Sequence, residues 1–500
     1  MSTAHHYLGI DLGTSEIKAL LMGVNGEVLA VAHAPLECMQ PQPGWSEQSP
    51  ASWWRALVLV CKQLQLEAPE HFAKVWAIGL SGHMHGATLL DSDNAVLRPC
   101  ILWNDGRSAA QCTKLAQLCP DLQRITGNLA MPGFTAPKVM WVAEHEPGIF
   151  QRIAKVLLPK DYLRFLLTDK FVSEMSDAAG TLWLDVEKRA WSATVLTATG
   201  LDCSHMPALI EGSGVSGFLT AGAAAQLGLK VGIALAGGAG DNAASAIGIG
   251  AVSPGDSFLS LGTSGVLFSV TDKHRPNTAN AVHAFCHALP QSWHQMAVML
   301  SAASCLRWVT QLTGFASEAD LMDSVALLTQ EERAHAPIFL PYLSGERTPH
   351  NNPDATGVFV GLRFGHAASH VAYAVVEGVS FGLLDGLNAL RSAGSHIEQT
   401  QLVGGGSKSE FWAQLLADVL EVDIHIGKDS NVGAALGAAR LAQLCIEGTA
   451  PATLAKVCTK PAIERAFRPR AEQQAILSKR YAQFGAAYGA MQPIFYAAAH

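Results

Sequence analysis

The tetrapeptide Leu-Gly-Thr-Ser occurs twice in this chain, at residues 12–15 and 261–264, each time between two runs of strand-forming residues. A turn set twice in the same strand–turn–strand context is the mark of an internal repeat, so two domains on one plan are expected. In the first copy, residues 7–10 and 16–22 flank the turn, and Asn25-Gly26 reads as a type I′ hairpin leading to a third run, 27–33. That is an antiparallel meander. In the second copy, 255–260 and 265–270 flank the turn, with Ser260 where the first has Asp11.

Five hundred residues fit two domains of similar size, with a cleft between them as the default binding site. The chain is 49% apolar and 15% charged, the composition of large packed interiors. A net charge of -8 without a long basic run argues against nucleic acid or an anionic membrane as the main partner. The N-terminus has no basic segment followed by an apolar one, and no window reaches about 18 uninterrupted apolar residues. A cytoplasmic location is therefore expected. The ten cysteines form no CxxC pair and read as reduced, mostly buried thiols. His283, Cys286 and His287 imitate part of a metal site, but no second ligand pair accompanies them.

Residues 231–250 lie just before the second copy. An apolar run ends in Gly237, Gly238 and Gly240, delivers the single acid Asp241, and continues into Ala- and Gly-rich sequence. This reads as strand, turn, helix. Asp241 is either a helix cap or a working carboxylate held near the start of a helix. In the first turn, Asp11 sits beside the donors of Gly13, Thr14 and Ser15, an arrangement suited to phosphate oxygens and a hydrated Mg²⁺. A capped polar hairpin is the alternative.

Three further segments carry polar groups. Strand residues 75–80 run into Ser81, His83, Met84 and His85, flanked by Gly82 and Gly86. The carboxyl ends of strands are the usual ligand side of an α/β sheet. Residues 101–107 repeat the pattern with Asn104, Asp105 and Arg107, which either bind a polyhydroxylated ligand or close an internal ion pair. Gly404, Gly405 and Gly406 follow a strand and open a helix at 410–420, leaving NH groups for an anion and room for a flat base. Elsewhere, residues 176–181 read as a small-residue turn containing Asp177, and 212–228 as the approach to a domain boundary. A buried helix is expected over 299–312, a pairing of Glu346 and Arg347 with each other or with neighbouring loops, and a last small-residue helix from Asn431.

Two longer motifs make a resemblance specific. Gly133-Phe134-Thr135-Ala136-Pro137-Lys138, continuing through Trp141 to His145, resembles the first signature of the FGGY carbohydrate kinases. Gly357 to Leu362, followed by His370 and Glu377, resembles the second, and the likeness runs from Gly9 to about Leu441. The resemblance implies an α/β protein of two actin-like, ribonuclease H-like domains with a central cleft, 1–240 on the sugar side and 241–500 on the nucleotide side. It implies a small sugar and ATP with Mg²⁺ as ligands, Asp241 as general base beside Asn242, and Asp11 as the metal carboxylate. Gly13, Thr14, Ser15, Gly262, Thr263 and Ser264 would then hold phosphates, and Gly404 to Gly406 would border adenine. Met84 and His85 match a sugar-contact pair found in one branch of the family, where glycerol kinases carry Arg-Glu, and Asn104 and Asp105 fall in the sugar-side loop. A homodimer is the one macromolecular assembly expected. The rival from another class is a sugar or nucleotide sensor of the same architecture, which has no need of both Asp11 and Asp241.

Overall fold

In this computed structural model residues 5–428 and 433–499 are described. Strands β1 (His6–Leu12), β2 (Glu16–Gly23), β3 (Val28–Pro35), β4 (Val75–Gly82), β5 (Val215–Phe218), β6 (Ala234–Ala236) and β7 (Ala239–Gly240) form a first sheet. Its order is β5-β6-β4-β1-β2-β3, with β7 also on β4. Strands β8 (Ser257–Leu261), β9 (Gly265–Thr271), β10 (His283–Cys286), β11 (Trp293–Met299), β12 (Gln399–Val403), β13 (Asp423–Gly427) and β14 (Ile463–Phe467) form a second, ordered β10-β11-β9-β8-β12-β13-β14. In each sheet an antiparallel meander opens the lobe, two strands then add in parallel, and an antiparallel strand closes the far side. The tetrapeptide repeat thus marks two sheets that share a central pattern, although the closing strand precedes its partner in the first (β5 before β6) and follows it in the second (β14 after β13).

The helices that matter here are α1 (Pro50–Glu67), α2 (Thr135–His145), α3 (Met175–Ala179), α4 (Asp241–Gly248), α5 (Ala303–Thr313), α6 (Ala368–Ser392), α7 (Glu410–Leu420), α8 (Gly433–Glu447) and α9 (Ala471–Ala499). Strand β1 is buried along nearly its whole length. Such burial requires cover on both faces, and its continuous apolar run reflects that. Helix α1, opened by Pro50 at its first position, packs against β2 and β3. The other face is covered from far along the chain, by α8 packed on β1 and β4.

That second cover works only because the seam is made of small residues. A Cβ at Gly79 would stand 1.8 Å from the Ala438 carbonyl oxygen, and one at Gly437 would stand 1.8 Å from that of Ala244. Sheet, α8 and α4 therefore stack backbone against backbone. At the far end of the chain, α9 docks on the second lobe through Phe484, Tyr488 and Phe495 and through Arg480, whose guanidinium grips Glu377 of α6 at 2.5 and 2.6 Å.

Several expectations are corrected. The β2–β3 connection is not a type I′ turn: Gly26 (φ +86°) alone of Asn25-Gly26 has positive φ, and its NH donates to Gly23 O at 3.0 Å. Glu27 Oε2 accepts from Asn25 NH, and the register shifts between Leu21 and Met22, so the loop is longer than two residues. Within 212–228, residues 215–218 form the edge strand β5 and 221–227 a short helix. The stretch 299–312 divides into the end of β11 and α5. Residues 176–179 lie in the short helix α3, capped by the Glu174 carboxylate, which accepts from Ser176 and Asp177 NH. The helix expected from Asn431 is α8, though Asn431 itself lies outside the described residues, and α9 rather than α8 is the last helix.

Candidate active site

Three parallel strands end side by side. Asp11 of β1 is opposite Ser81 of β4, and Ser81 and Gly82 are opposite Ala239 and Gly240 of β7. Asp241 follows Gly240 as the first residue of α4, so the register sets it two residues past Ala239, which shares the row of Asp11, at the same end of the sheet. Gly238 makes the approach possible: its φ is +76°, and a Cβ there would lie 2.1 Å from Leu80 O. Ser176 Oγ accepts from Gly240 NH at 3.1 Å and donates to Glu174 at 2.8 Å, fixing the backbone just before the acid.

The two carboxylates are differently dressed. Asp11 Oδ1 accepts from Ser81 Oγ at 2.9 Å, and Asp241 Oδ1 accepts from Asn242 NH at 2.7 Å and Asn242 Nδ2 at 3.0 Å. No hydrogen bond to the second oxygen of either is found among the described residues. Burial, then the neighbouring charge of Asp11, pushes Asp241 up to about 6, and burial also raises Asp11. A carboxyl poised near neutrality with one oxygen open is suited to take a proton. The pair also fits Mg²⁺: two adjacent acids, each with a free oxygen, are what a hydrated ion uses when substrate phosphates and water complete its shell. Among the described residues no cluster of three or more His, Cys, Asp or Glu ligands accompanies them.

On the sugar side, Met84 packs against Gly240 and Gly180, and His85 against Gly180. His85 takes φ +70°, a strained value for a residue with a Cβ. Lys138, fully buried on α2, explains how it persists: its Nζ donates to His85 O at 2.9 Å and Gly133 O at 2.7 Å, and Thr135 Oγ1 donates to His85 O at 3.2 Å. Burial brings the Lys138 ammonium down to about 7. His85 Nδ1 donates to Gly180 O at 2.6 Å, so the neutral ring presents Nε2 as an acceptor. Asn104 is exposed at this rim. Asp105 is buried, and both its oxygens are taken: Oδ1 by Arg107 NH and Nε, Oδ2 by Ser46 NH and Arg107 Nη2. It closes the internal ion pair that was one of the two expectations.

Across the cleft, Gly262, Thr263, Gly405 and Gly406 line one cavity of about 970 Å³ with Ser304 and Phe411. Gly404 lies behind it, against Leu261. The first turn is braced from two other segments: Trp103 Nε1 donates to Thr14 Oγ1 at 3.0 Å, and Gln48 Nε2 donates to Thr14 O at 2.6 Å. Ser15 is exposed.

Sequence reasoning missed the charge cluster beneath the site. Lys160 Nζ contacts Asp161 at 2.8 Å, Asp177 at 3.0 Å and Glu174 at 3.3 Å, all without solvent exposure. Asp177 therefore supports α3 from below. The only early signal was four acids spread over residues 161–177, and no local pattern singles out the three, Asp161, Glu174 and Asp177, that the fold brings to Lys160. Lys138 left a clearer trace, as a lone lysine in an otherwise buried helix face.

Two lobes with a shared central sheet pattern, a cleft between them, paired acids at the strand ends and glycine turns lining a nucleotide-sized cavity define a phosphoryl-transfer enzyme acting on a small molecule. Residues 6–248 match the N-terminal domain, and 258–444 the C-terminal domain, of the FGGY family of carbohydrate kinases. The chain belongs to that family and is a carbohydrate kinase, with ATP and Mg²⁺ as its phosphoryl donor. It is 48% identical to a xylulose kinase of Escherichia coli (strain K12) over 490 residues, 98% of this chain and 99% of that one. The crystal structure of a xyloylose kinase from Brucella ovis matches with a TM-score of 0.94 and 47% identity, covering 98% and 100% of the two chains. A gluconate kinase from Lactobacillus acidophilus matches with a TM-score of 0.91 at 25% identity, covering 98% of each chain. Fold alone therefore does not select the sugar.

Proposed function

We propose that this chain transfers the γ-phosphoryl group of MgATP to D-xylulose, giving D-xylulose 5-phosphate. The observation that carries the reading is the open oxygen of Asp241, raised toward neutrality in the residue after Gly240, against which Met84 packs. Asp241 takes the proton of the attacking sugar hydroxyl, while Asn242 holds its other oxygen. Residues 1–240 hold the sugar and 241–500 the nucleotide, with the turns at Gly13–Ser15 and Gly262–Ser264 gripping phosphates and Gly404–Gly406 bordering adenine. Asn104 offers its free amide to the sugar; Asp105 shapes that loop through Arg107. Asp11 is the residue that would hold Mg²⁺, which when bound neutralises phosphate charge. The proposed setting is the cytoplasm, without nucleic-acid or membrane partners, and the proposed assembly is a homodimer.

The test is an ADP-release assay over D-xylulose, D-ribulose, glycerol and D-gluconate with an ATP-only control. D-xylulose is expected to exceed the others in kcat/KM by about tenfold or more, the scale set by a few substrate contacts. Better turnover of glycerol or gluconate overturns the sugar, and sugar-induced stabilisation without ADP release supports the sensor instead. Asp11→Asn is expected to lose activity that added Mg²⁺ partly restores. A magnesium titration with no effect removes the metal role from Asp11.

A further inference from the structure

Arg347 sits on a loop stitched tightly into the second lobe. Glu346 and Asn352 exchange backbone hydrogen bonds at 2.9 and 2.8 Å, and Thr348 NH donates to Val298 O at 3.1 Å. Glu346 Oε1 is taken by backbone, accepting from Leu300 NH at 3.0 Å and Arg347 NH at 2.7 Å, while Oε2 is buried without a hydrogen-bond partner. The Glu346 charge acts on the guanidinium but makes no hydrogen bond to it, and among the described residues the guanidinium's one side-chain hydrogen-bond partner is His283, Nη1 to Nε2 at 3.2 Å.

That partner is neutral and its tautomer is settled. Asn128 Nδ2 donates to Thr126 O at 2.7 Å and Ala284 O at 3.0 Å, so its Oδ1 is the acceptor for His283 Nδ1–H at 3.0 Å. His283 Nε2 then accepts from Arg347. A largely desolvated guanidinium whose one side-chain hydrogen bond goes to a neutral ring leaves its other N–H groups in need of an acceptor.

What lies in front of it is the sugar side. Phe134 stands 4.7 Å from His85, 5.6 Å from His283 and 6.1 Å from Phe285, ring centre to ring centre, and His283 stacks on Phe285 at 5.4 Å. Arg347 is close enough to help hold His85 neutral, whereas the charge acting on Asp241 is that of Asp11. The ring cluster thus sets an acceptor, His85 Nε2, near a fork of donors from the opposite lobe. We propose that Arg347 binds the α-hydroxy ketone end of the sugar, its N–H groups donating to the carbonyl and hydroxyl oxygens while that hydroxyl donates to His85. This rests on the D-xylulose reading, and it makes Arg347 a determinant of ketose over alditol.

The experiment compares D-xylulose with xylitol and D-arabitol, in which the carbonyl is reduced, for the wild type, Arg347→Lys and Arg347→Met. ATP titration of each variant reports its fold; if the Met variant does not fold, the Lys variant carries the comparison. Loss of the fork is expected to raise KM for D-xylulose by about 10- to 100-fold, with a smaller change in kcat, and to bring the ketose-to-alditol ratio of kcat/KM toward one. Unchanged KM, or an unchanged ratio, in a wild-type xylulose kinase overturns this inference alone. A wild type that prefers glycerol or gluconate overturns it together with the substrate assignment.

Discussion

Asp241→Asn is expected to lower turnover by about 10² to 10⁴, the usual contribution of a general base, while ATP still binds. Asparagine keeps the shape at the start of α4 but cannot take the proton. The pH profile supplies a second readout. Because burial and Asp11 lift Asp241 to about 6, the basic form accumulates as pH rises through that value. Wild-type kcat/KM should climb below about pH 6 and level off above it, and the Asn variant should lose that limb. Stability should move the opposite way. A raised carboxylate pKa means that the folded state carries its cost once pH exceeds the folded value, so the ligand-free Asn variant should melt higher than the wild type at pH 7 and match it near pH 3. Near-normal turnover in Asp241→Asn removes the base assignment.

Gly79→Ala is expected to have the largest effect on folding. The added methyl would meet the Ala438 carbonyl at 1.8 Å, and backbone on both sides leaves nothing that can rotate away. Overpacking of this kind costs about 1–3 kcal/mol even where side chains can adjust, so the variant should melt well below the wild type or fail to accumulate. Gly485→Ala is the control: it lies exposed in α9 with nothing within 4 Å, and should gain about 0.5–1 kcal/mol from helix propensity. Equal melting temperatures for the two variants would mean that the α8 seam is looser than described.

Much of the fold was legible because the repeat is local. The tetrapeptide sits at the tip of a hairpin whose strands alternate and run continuously enough to be read, and two copies imply two sheets. Return of α8 to cover β1 was not legible, since Gly9 and Ala435 are brought together by topology and no periodicity spans that separation. The same limit hid Lys160 beneath the site. Asp105 failed differently: an acid two residues before an arginine has the same spelling whether it faces a ligand or closes on its neighbour, and Ser46 NH decided the matter from a distant loop. Asn25-Gly26 was legible as a turn, but its type depended on the Glu27 side chain.

The seam between α4 and α8 has a mechanical consequence. Gly437 against Ala244, and Gly248 against Gly433, touch without side chains between them. Rigid surfaces in direct contact transmit displacement with no slack, because there is no rotamer to absorb it. Helix α8 is anchored to the first sheet, and α4 begins at Asp241 and leads into the second. The pair is a stiff joint between the lobes, and Asp241 stands at its rim.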